Sequence, residues 1–288
     1  MLISQLYKPN LKIKKINFLY RFISKLIIFI LGLDKFKEFS NSFQQTLSTS
    51  IKIVFKKKKF IFKDGHERLL WRYKTQFKEE KFLCNWIDNF AKNDIFCDIG
   101  SNVGMFTVYA AKKNLTYSIE PHPANLHYLY WNLFLNSVEK NVIVIPNALY
   151  DHNKKINFIL RDLTPGVAKN FLGKNETGLK NKISFRSLST KLDDIILNYK
   201  LLPPNKIKID VDGNELHILK GLKKNIKFVD EIFIEIIENK KEKNMNYFKG
   251  KYQPQNIKSY LKLNSFVEIN NFGDNKIYKN KKFKRLIN

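Results

Sequence analysis

The stretch Ile95-Phe96-Cys97-Asp98-Ile99-Gly100-Ser101-Asn102-Val103-Gly104-Met105-Phe106-Thr107 limits what this chain can fold into more than any other. A short apolar run ends on Asp98-Ile99-Gly100, small or polar residues follow, and Gly104 opens an apolar helical pattern. That order spells strand, tight turn, helix. Glycines in such a turn let the backbone come close to a ligand, and the N–H groups that begin the helix favour a carboxylate or phosphate. Sixteen residues past Gly104 a second apolar run, Thr116-Tyr117-Ser118-Ile119, ends in Glu120-Pro121. An acidic residue at that strand end is placed to bond a ribose diol, as in nucleotide-binding α/β folds.

The rest of the pattern extends this unit. Beyond residue 93, strand-like and helix-like segments alternate. Apolar strands are expected at 95–99, 116–119, 142–145, 156–160, 206–211 and 231–237. Helical patterns follow several of them, at about 123–137, 192–198, 215–219 and 255–263. Residues 266–269 and 276–278 read as a hairpin around Asn270–Asn275. Alternating β and α ending in a hairpin implies a mostly parallel sheet with an antiparallel last strand. Such sheets bind ligands at the carboxyl ends of their strands. Asp98, Glu120, Asn147 and Asp210 or Asp212 all fall at such ends. The segment 162–182 has no periodicity and reads as a loop. Residues 1–85 read as an N-terminal extension, and 86–288 as the main domain.

Composition narrows the partners. Among 288 residues, 52 Lys and Arg against 26 Asp and Glu give a net charge of +26, which invites a nucleic-acid reading. Only six of these cations are Arg, however, and phosphate-reading surfaces favour the bidentate Arg fork. A basic surface of dispersed lysines is the better reading. Cys84 and Cys97 form no C-x-x-C pair and no zinc pattern. A reducing cytoplasmic setting fits them. Residues 16–33 are apolar but carry Arg21 and Lys25, so the uncharged core is too short for a membrane span, which takes about 20 residues. Two readings stay open. One is a helix in the membrane interface, on its inner face, aided by the Lys56–Lys59 run. The other is a helix packed on the domain or on a partner.

Several segments together resemble the FkbM-type S-adenosylmethionine-dependent methyltransferases. They are Cys97–Gly104, Ile119-Glu120-Pro121-His122-Pro123, Asn147-Ala148-Leu149, Leu192-Asp193-Asp194-Ile195, Ile207–Glu215 and Leu219-Lys220-Gly221. Their order and spacing match over about residues 93–270, and Glu235 stands where the family also has an acidic residue. One departure is visible. The family's Asp-Val-Glu-Gly is Asp210-Val211-Asp212-Gly213 here, which shortens the second carboxylate's reach. The resemblance implies an α/β, Rossmann-like seven-stranded methyltransferase sheet and methyl transfer to a hydroxyl oxygen, with S-adenosylmethionine as donor. It leaves the acceptor open among sugars, glycans and other small molecules.

On this reading Gly100, Ser101, Asn102, Val103 and Gly104 shape the loop around the donor's methionyl end. Asp98 holds either the turn or the donor's amino group. Glu120, with Pro121, meets the ribose, and Asn147 and Ala148 line the adenine. A hydroxyl acceptor must lose a proton, which calls for a base. Lys208, Asp210 and Asp212 alternate with apolar residues and so are expected on one strand face. Asp210 is the candidate base and Lys208 its electrostatic partner; the alternative is a structural ion pair closing the sheet's polar end. His122 and His217 are secondary candidates to face the acceptor, although a lone histidine is more often structural or solvated. Asp210, Asp212 and Glu235 are hard oxygen ligands for a divalent cation, but their spacing does not require one.

Three other functions compete. A dehydrogenase would carry G-x-G-x-x-G, and this loop lacks the middle glycine. An RNA or other nucleic-acid base methyltransferase would account for the charge, but amino-directed members of that class carry Asn- or Asp-Pro-Pro-aromatic where this chain has Asp210-Val211-Asp212-Gly213. A basic module that binds membranes or polyanions on a relic fold is the non-enzymatic alternative.

Overall fold

The computed structural model describes residues 11–46, 50–168, 170–172, 183–238 and 254–284. The chain divides into two compact units, Met1–Thr49 and Ser50–Asn288. In the first, α1 (Leu11–Leu31) and α2 (Leu33–Thr46) are joined at Gly32, whose φ of +80° turns the chain. No described helix is long and apolar enough to cross a membrane.

The second unit begins with an antiparallel hairpin, β1 (Ser50–Phe55) and β2 (Lys58–Lys63), followed by α3 (Glu67–Glu79) and α4 (Lys81–Asp88). Then come β3 (Ile95–Ile99), α5 (Met105–Ala111), β4 (Leu115–Ile119), α6 (Pro123–Leu135) and β5 (Val142–Ile145). Short β6 (Ala148–Leu149), β7 (Lys154–Leu160), β8 (Phe171–Leu172) and β9 (Ile183–Thr190) lead to α7 (Leu192–Asn198). The chain continues through β10 (Lys206–Ile209), α8 (Glu215–Lys220), β11 (Glu231–Glu235), α9 (Pro254–Leu263), β12 (Phe266–Phe272) and β13 (Asn275–Asn280).

Seven strands form the central sheet in the order β12-β13-β11-β10-β3-β4-β5. The pairs β11–β10, β10–β3, β3–β4 and β4–β5 are parallel, and β13 runs antiparallel to both its neighbours. This is the expected Rossmann-like arrangement with its antiparallel hairpin strand. Alternation along each buried strand sends side chains to two cores. Phe96 and Phe233 face one, with Leu83, Trp86 and Phe106. Cys97, Ile99, Ile207, Ile209, Ile232 and Ile234 face the other, with Leu192, Leu219 and Leu261.

Two expectations shift. The break in compactness falls at 49/50 rather than at residue 85. The physical reason is that Phe60, Phe62, Leu69, Tyr73 and Phe77 are buried in the same core as Phe96 and Phe106, so the hairpin, α3 and α4 cover one face of the sheet. Part of the lysine run is also committed within the fold. Lys56 and Lys57 adopt positive φ in the hairpin turn, and Lys56 and Lys58 both pair with Asp88 at 2.7 Å. A second sheet, in the order β6-β9-β7-β8, lies after the main sheet's last parallel edge strand. It occupies part of the region read as an aperiodic loop, of which Lys169 and residues 173–182 lie outside the described residues.

Candidate active site

The parallel register builds the site. Lys208 on β10 stands beside Asp98 on β3, and Asp98 stands beside Ser118 on β4. All three are buried, so their polar atoms need partners inside the protein. Lys208 Nζ lies 3.3 Å from Asp98 Oδ1 and 3.4 Å from Asp210 Oδ2. Thr107 donates to Asp98 Oδ2 at 2.7 Å, and its hydroxyl lies 3.0 Å from that of Ser118. Burial alone would lower the Lys208 pKa, but Asp98 and Asp210 hold it well above its ordinary value. Lys208 is therefore a fixed cation.

Just past β3 the chain takes left-handed φ values at Gly100 (+81°), Asn102 (+53°) and Gly104 (+81°). At Gly100 the backbone has no room for a side chain: a Cβ would lie 1.9 Å from the Asp210 carbonyl oxygen. The loop is tied to the neighbouring strand end, with Gly100 and Ser101 N–H donating to Ile119 O. Glu120 completes the tie. Its Oε2 accepts from Asn102 N–H and its Oε1 from His122 N–H, both at 2.8 Å. Burial pushes the Glu120 carboxyl up to about 7, against those two N–H groups, which favour its ionised form.

These elements open onto a cleft. Of the residues read from the sequence, Gly100, Ser101, Asn102, Val103, Glu120, Pro121, Asn147, Ala148, Lys208, Asp210 and Asp212 line it. Asp98 is fully buried beneath the loop against Thr107 and Lys208. Gly104 caps α5 and would meet Leu129 Cδ1 at 2.3 Å if it carried a Cβ. Asp212 reaches the cleft by a different route from the one its spacing suggests. β10 ends at Ile209 and Asp212 has φ +58°, so the strand alternation that would align it with Lys208 and Asp210 has already stopped.

The two histidines are occupied elsewhere. His122 caps α6, its Nδ1 accepting from Asn125 N–H and its Nε2 lying 3.1 Å from Asp162 O. His217 stacks on Tyr150 with ring centroids 4.1 Å apart and pairs with Asp151 at 2.7 Å. Glu235 is pushed up to about 9 by burial and by Asp210, Asp212 and Glu215. Among the described residues no three His, Cys, Asp or Glu side chains gather as a metal-holding group.

One wall comes from the N-terminal extension and the 162–182 loop, segments expected to shape the acceptor pocket but in which the sequence singles out no side chain. Arg72 and Gln76 of α3 line the cleft, as do Val167, Ala168, Asn170 and Leu172 around β8. Arg72 donates to Gln76 Oε1 (3.1 Å), and Gln76 donates to Glu80 Oε1 (3.0 Å). Burial and the nearby Asp210 push Glu80 up to about 7. The four-residue spacing of Arg72, Gln76 and Glu80 was the available signal. It marks one helix face, which reads as solvated until α3 is known to lie against the sheet.

A parallel sheet that switches direction around its first strand, with a glycine-shaped loop and an acidic strand end at its carboxyl edge, defines the nucleotide-donor-binding α/β class. The chain belongs to the FkbM methyltransferase family: the model of the Methyltransferase FkbM domain matches residues 98–272. The hexuronic acid methyltransferase AglP of Haloferax volcanii is 24% identical to it over 167 residues, covering 58% of this chain and 66% of that protein, just under two thirds. Among solved structures, the FkbM methyltransferase of Methylobacillus flagellatus is 16% identical, with a TM-score of 0.44 over 66% of this chain and 44% of that one. An O-methyltransferase from Bacillus cereus in complex with SAH is 14% identical, with a TM-score of 0.43 over 70% of this chain and 79% of the other.

Proposed function

We propose that this protein is an S-adenosylmethionine-dependent methyltransferase that methylates an oxygen of a sugar or glycan. The observation that carries this reading is one cleft joining the Gly100–Val103 loop, Glu120 and the Lys208–Asp210 pair. Membership of the FkbM family supports methyl transfer, and the name of the Haloferax relative supports a sugar acid as acceptor. When bound, the donor supplies an activated methyl group for in-line displacement. The chain's own work is to hold, align and deprotonate. Glu120 is suited to the ribose hydroxyls, since its carboxylate is fixed by two backbone N–H groups. Asn147 and Ala148 offer a wall for the adenine. Asp210 receives the acceptor's proton, while Lys208, held by Asp98, keeps the Asp210 carboxylate aimed into the cleft.

The test has two parts. Calorimetry should show binding of S-adenosylhomocysteine, and its absence would sink the donor assignment. Asp210→Asn should then lower methyl transfer to a sugar acceptor by at least about a hundredfold, the scale of a lost general base, while changing the donor dissociation constant by less than about threefold. Unchanged turnover would remove Asp210 as the base.

For the N-terminal unit we propose a peripheral contact with a membrane surface. Phe18, Phe22, Leu26 and Phe29 are all exposed at three- and four-residue spacing on one face of α1. That helix carries five basic residues and no acidic one, a combination suited to an anionic lipid interface.

A further inference from the structure

Among the described residues two cations line the cleft, and the protein treats them differently. Lys208 is neutralised by Asp98 and Asp210. Arg72 has no carboxylate within ion-pair distance among the described residues; it donates only to neutral acceptors, Gln76 Oε1 at 3.1 Å and Gly166 O at 2.9 Å. Its Nε is buried and has no hydrogen-bond partner. On the same helix Arg68 has its counter-ion, Asp162, at 3.7 Å. A partly buried guanidinium without a counter-ion is costly, so its retention in a ligand cleft points to an anion that arrives with the ligand.

The fork is also held in place. Gln76, anchored by Glu80, takes one side, and the Gly166 carbonyl takes the other. Gly166 has φ +77°, a left-handed conformation that disfavours a side chain, and a Cβ there would come 2.9 Å from Leu69 Cδ2. The same loop is fixed to the rest of the site, because Gly166 N–H donates to Asn125 Oδ1 at 2.8 Å and Asn102 Nδ2 donates to Val167 O at 3.1 Å. Among the opposite charges, Asp210 acts on Arg72 most strongly, from beyond contact distance. The remaining N–H donors on Nη1 and Nη2 are thus preset for a planar, bidentate anion.

We propose that Arg72 receives the carboxylate of an acidic sugar acceptor, setting an acceptor oxygen next to Asp210. This rests on the sugar-methyltransferase reading above and names the acceptor's charged group and the residue that selects it. Arg72 acts as a positioning and specificity-determining residue.

The experiment titrates the full chain, saturated with S-adenosylhomocysteine, with glucuronic acid and with glucose, and then measures methyl transfer to both. The wild-type protein should bind glucuronic acid at least about tenfold more tightly than glucose, the scale of one charge-assisted pair. In Arg72→Gln that preference should fall to within about twofold, with the S-adenosylhomocysteine dissociation constant unchanged. Arg72→Lys, which keeps the charge without the fork, should retain part of the preference and guards against a variant that fails to fold. A preference that survives Arg72→Gln would overturn the proposal. So would a tenfold loss of S-adenosylhomocysteine affinity with the sugar preference intact, since the carboxylate held would then be the donor's own. A wild-type protein that prefers glucuronic acid but methylates no sugar refutes the function and leaves the carboxylate subsite standing. One that methylates both sugars with equal kcat/KM does the reverse.

Discussion

Glu120, proposed above to meet the ribose, also has structural work. Its carboxyl ties Asn102 to His122, and burial raises it from an ordinary value near 4.5 to about 7. The sign of the consequence follows from linkage. A carboxyl that keeps its proton longer in the folded than in the unfolded state gives stability that is complete below about pH 4.5 and is lost as pH rises through about 7. Ribose hydroxyls prefer the ionised acceptor, so donor affinity moves the other way. S-adenosylhomocysteine should bind more tightly at pH 8 than at pH 6, and Glu120→Gln should both weaken binding by more than about tenfold and remove most of that rise. Calorimetry at several pH values checks this, and an unaltered profile in the variant would refute the ribose role. Glu120 was legible in the sequence because an acidic residue capping an apolar strand has few other uses. Arg72 was not, because nothing local separates a cleft-facing arginine from a solvated one.

At the scale of elements, the decisive object is the β3–loop–α5 bend resting on the end of β10. Gly100 makes that contact. A methyl group there meets the backbone carbonyl of Asp210 at 1.9 Å and must also accept a φ of +81°. Relief would require the end of β10 to move, and Asp210 and Lys208 with it. Gly100→Ala should therefore cost at least about 2 kcal/mol of stability, combining left-handed strain with overpacking, and should abolish methyl transfer. Gly273 in the terminal hairpin is the matched control: its φ is +75° but nothing lies within 4 Å of a built Cβ, so Gly273→Ala should cost only about 1 kcal/mol of backbone strain. Urea denaturation of the two variants checks the contrast. β3 could be read in advance because burial on both faces writes it as an apolar run, and β10 because Ile207 and Ile209 alternate with Lys206 and Lys208. β9 could not. Its sequence Ile-Ser-Phe-Arg-Ser-Leu-Ser-Thr lies mostly at partly or fully exposed positions, so its pairing with β7 leaves little hydrophobic signature.

Across the whole molecule, the two compact units suggest a division of labour that the sequence only hinted at. Every described residue that lines the cleft or builds the two hydrophobic cores lies in residues 50–288. The first unit presents the exposed aromatic stripe of α1, and Arg21 and Lys25 lie beside it in sequence. Apolar insertion and attraction to anionic headgroups should act together there, each basic residue near the surface adding about 1 kcal/mol. Residues 50–288 alone should bind S-adenosylhomocysteine with the same dissociation constant as the full chain, within about twofold. The full chain should co-sediment with vesicles containing phosphatidylserine and be released by high salt, whereas residues 50–288 should stay in the supernatant despite the lysines they retain. Equal sedimentation of both forms would shift the membrane contact to the dispersed basic surface and leave the stripe of α1 without that role. Release of the full chain by salt alone, with no retention on vesicles of neutral lipid, would show that headgroup charge outweighs aromatic insertion. Phe22→Ser with Phe29→Ser separates the two terms, because removing the rings leaves every charge in place.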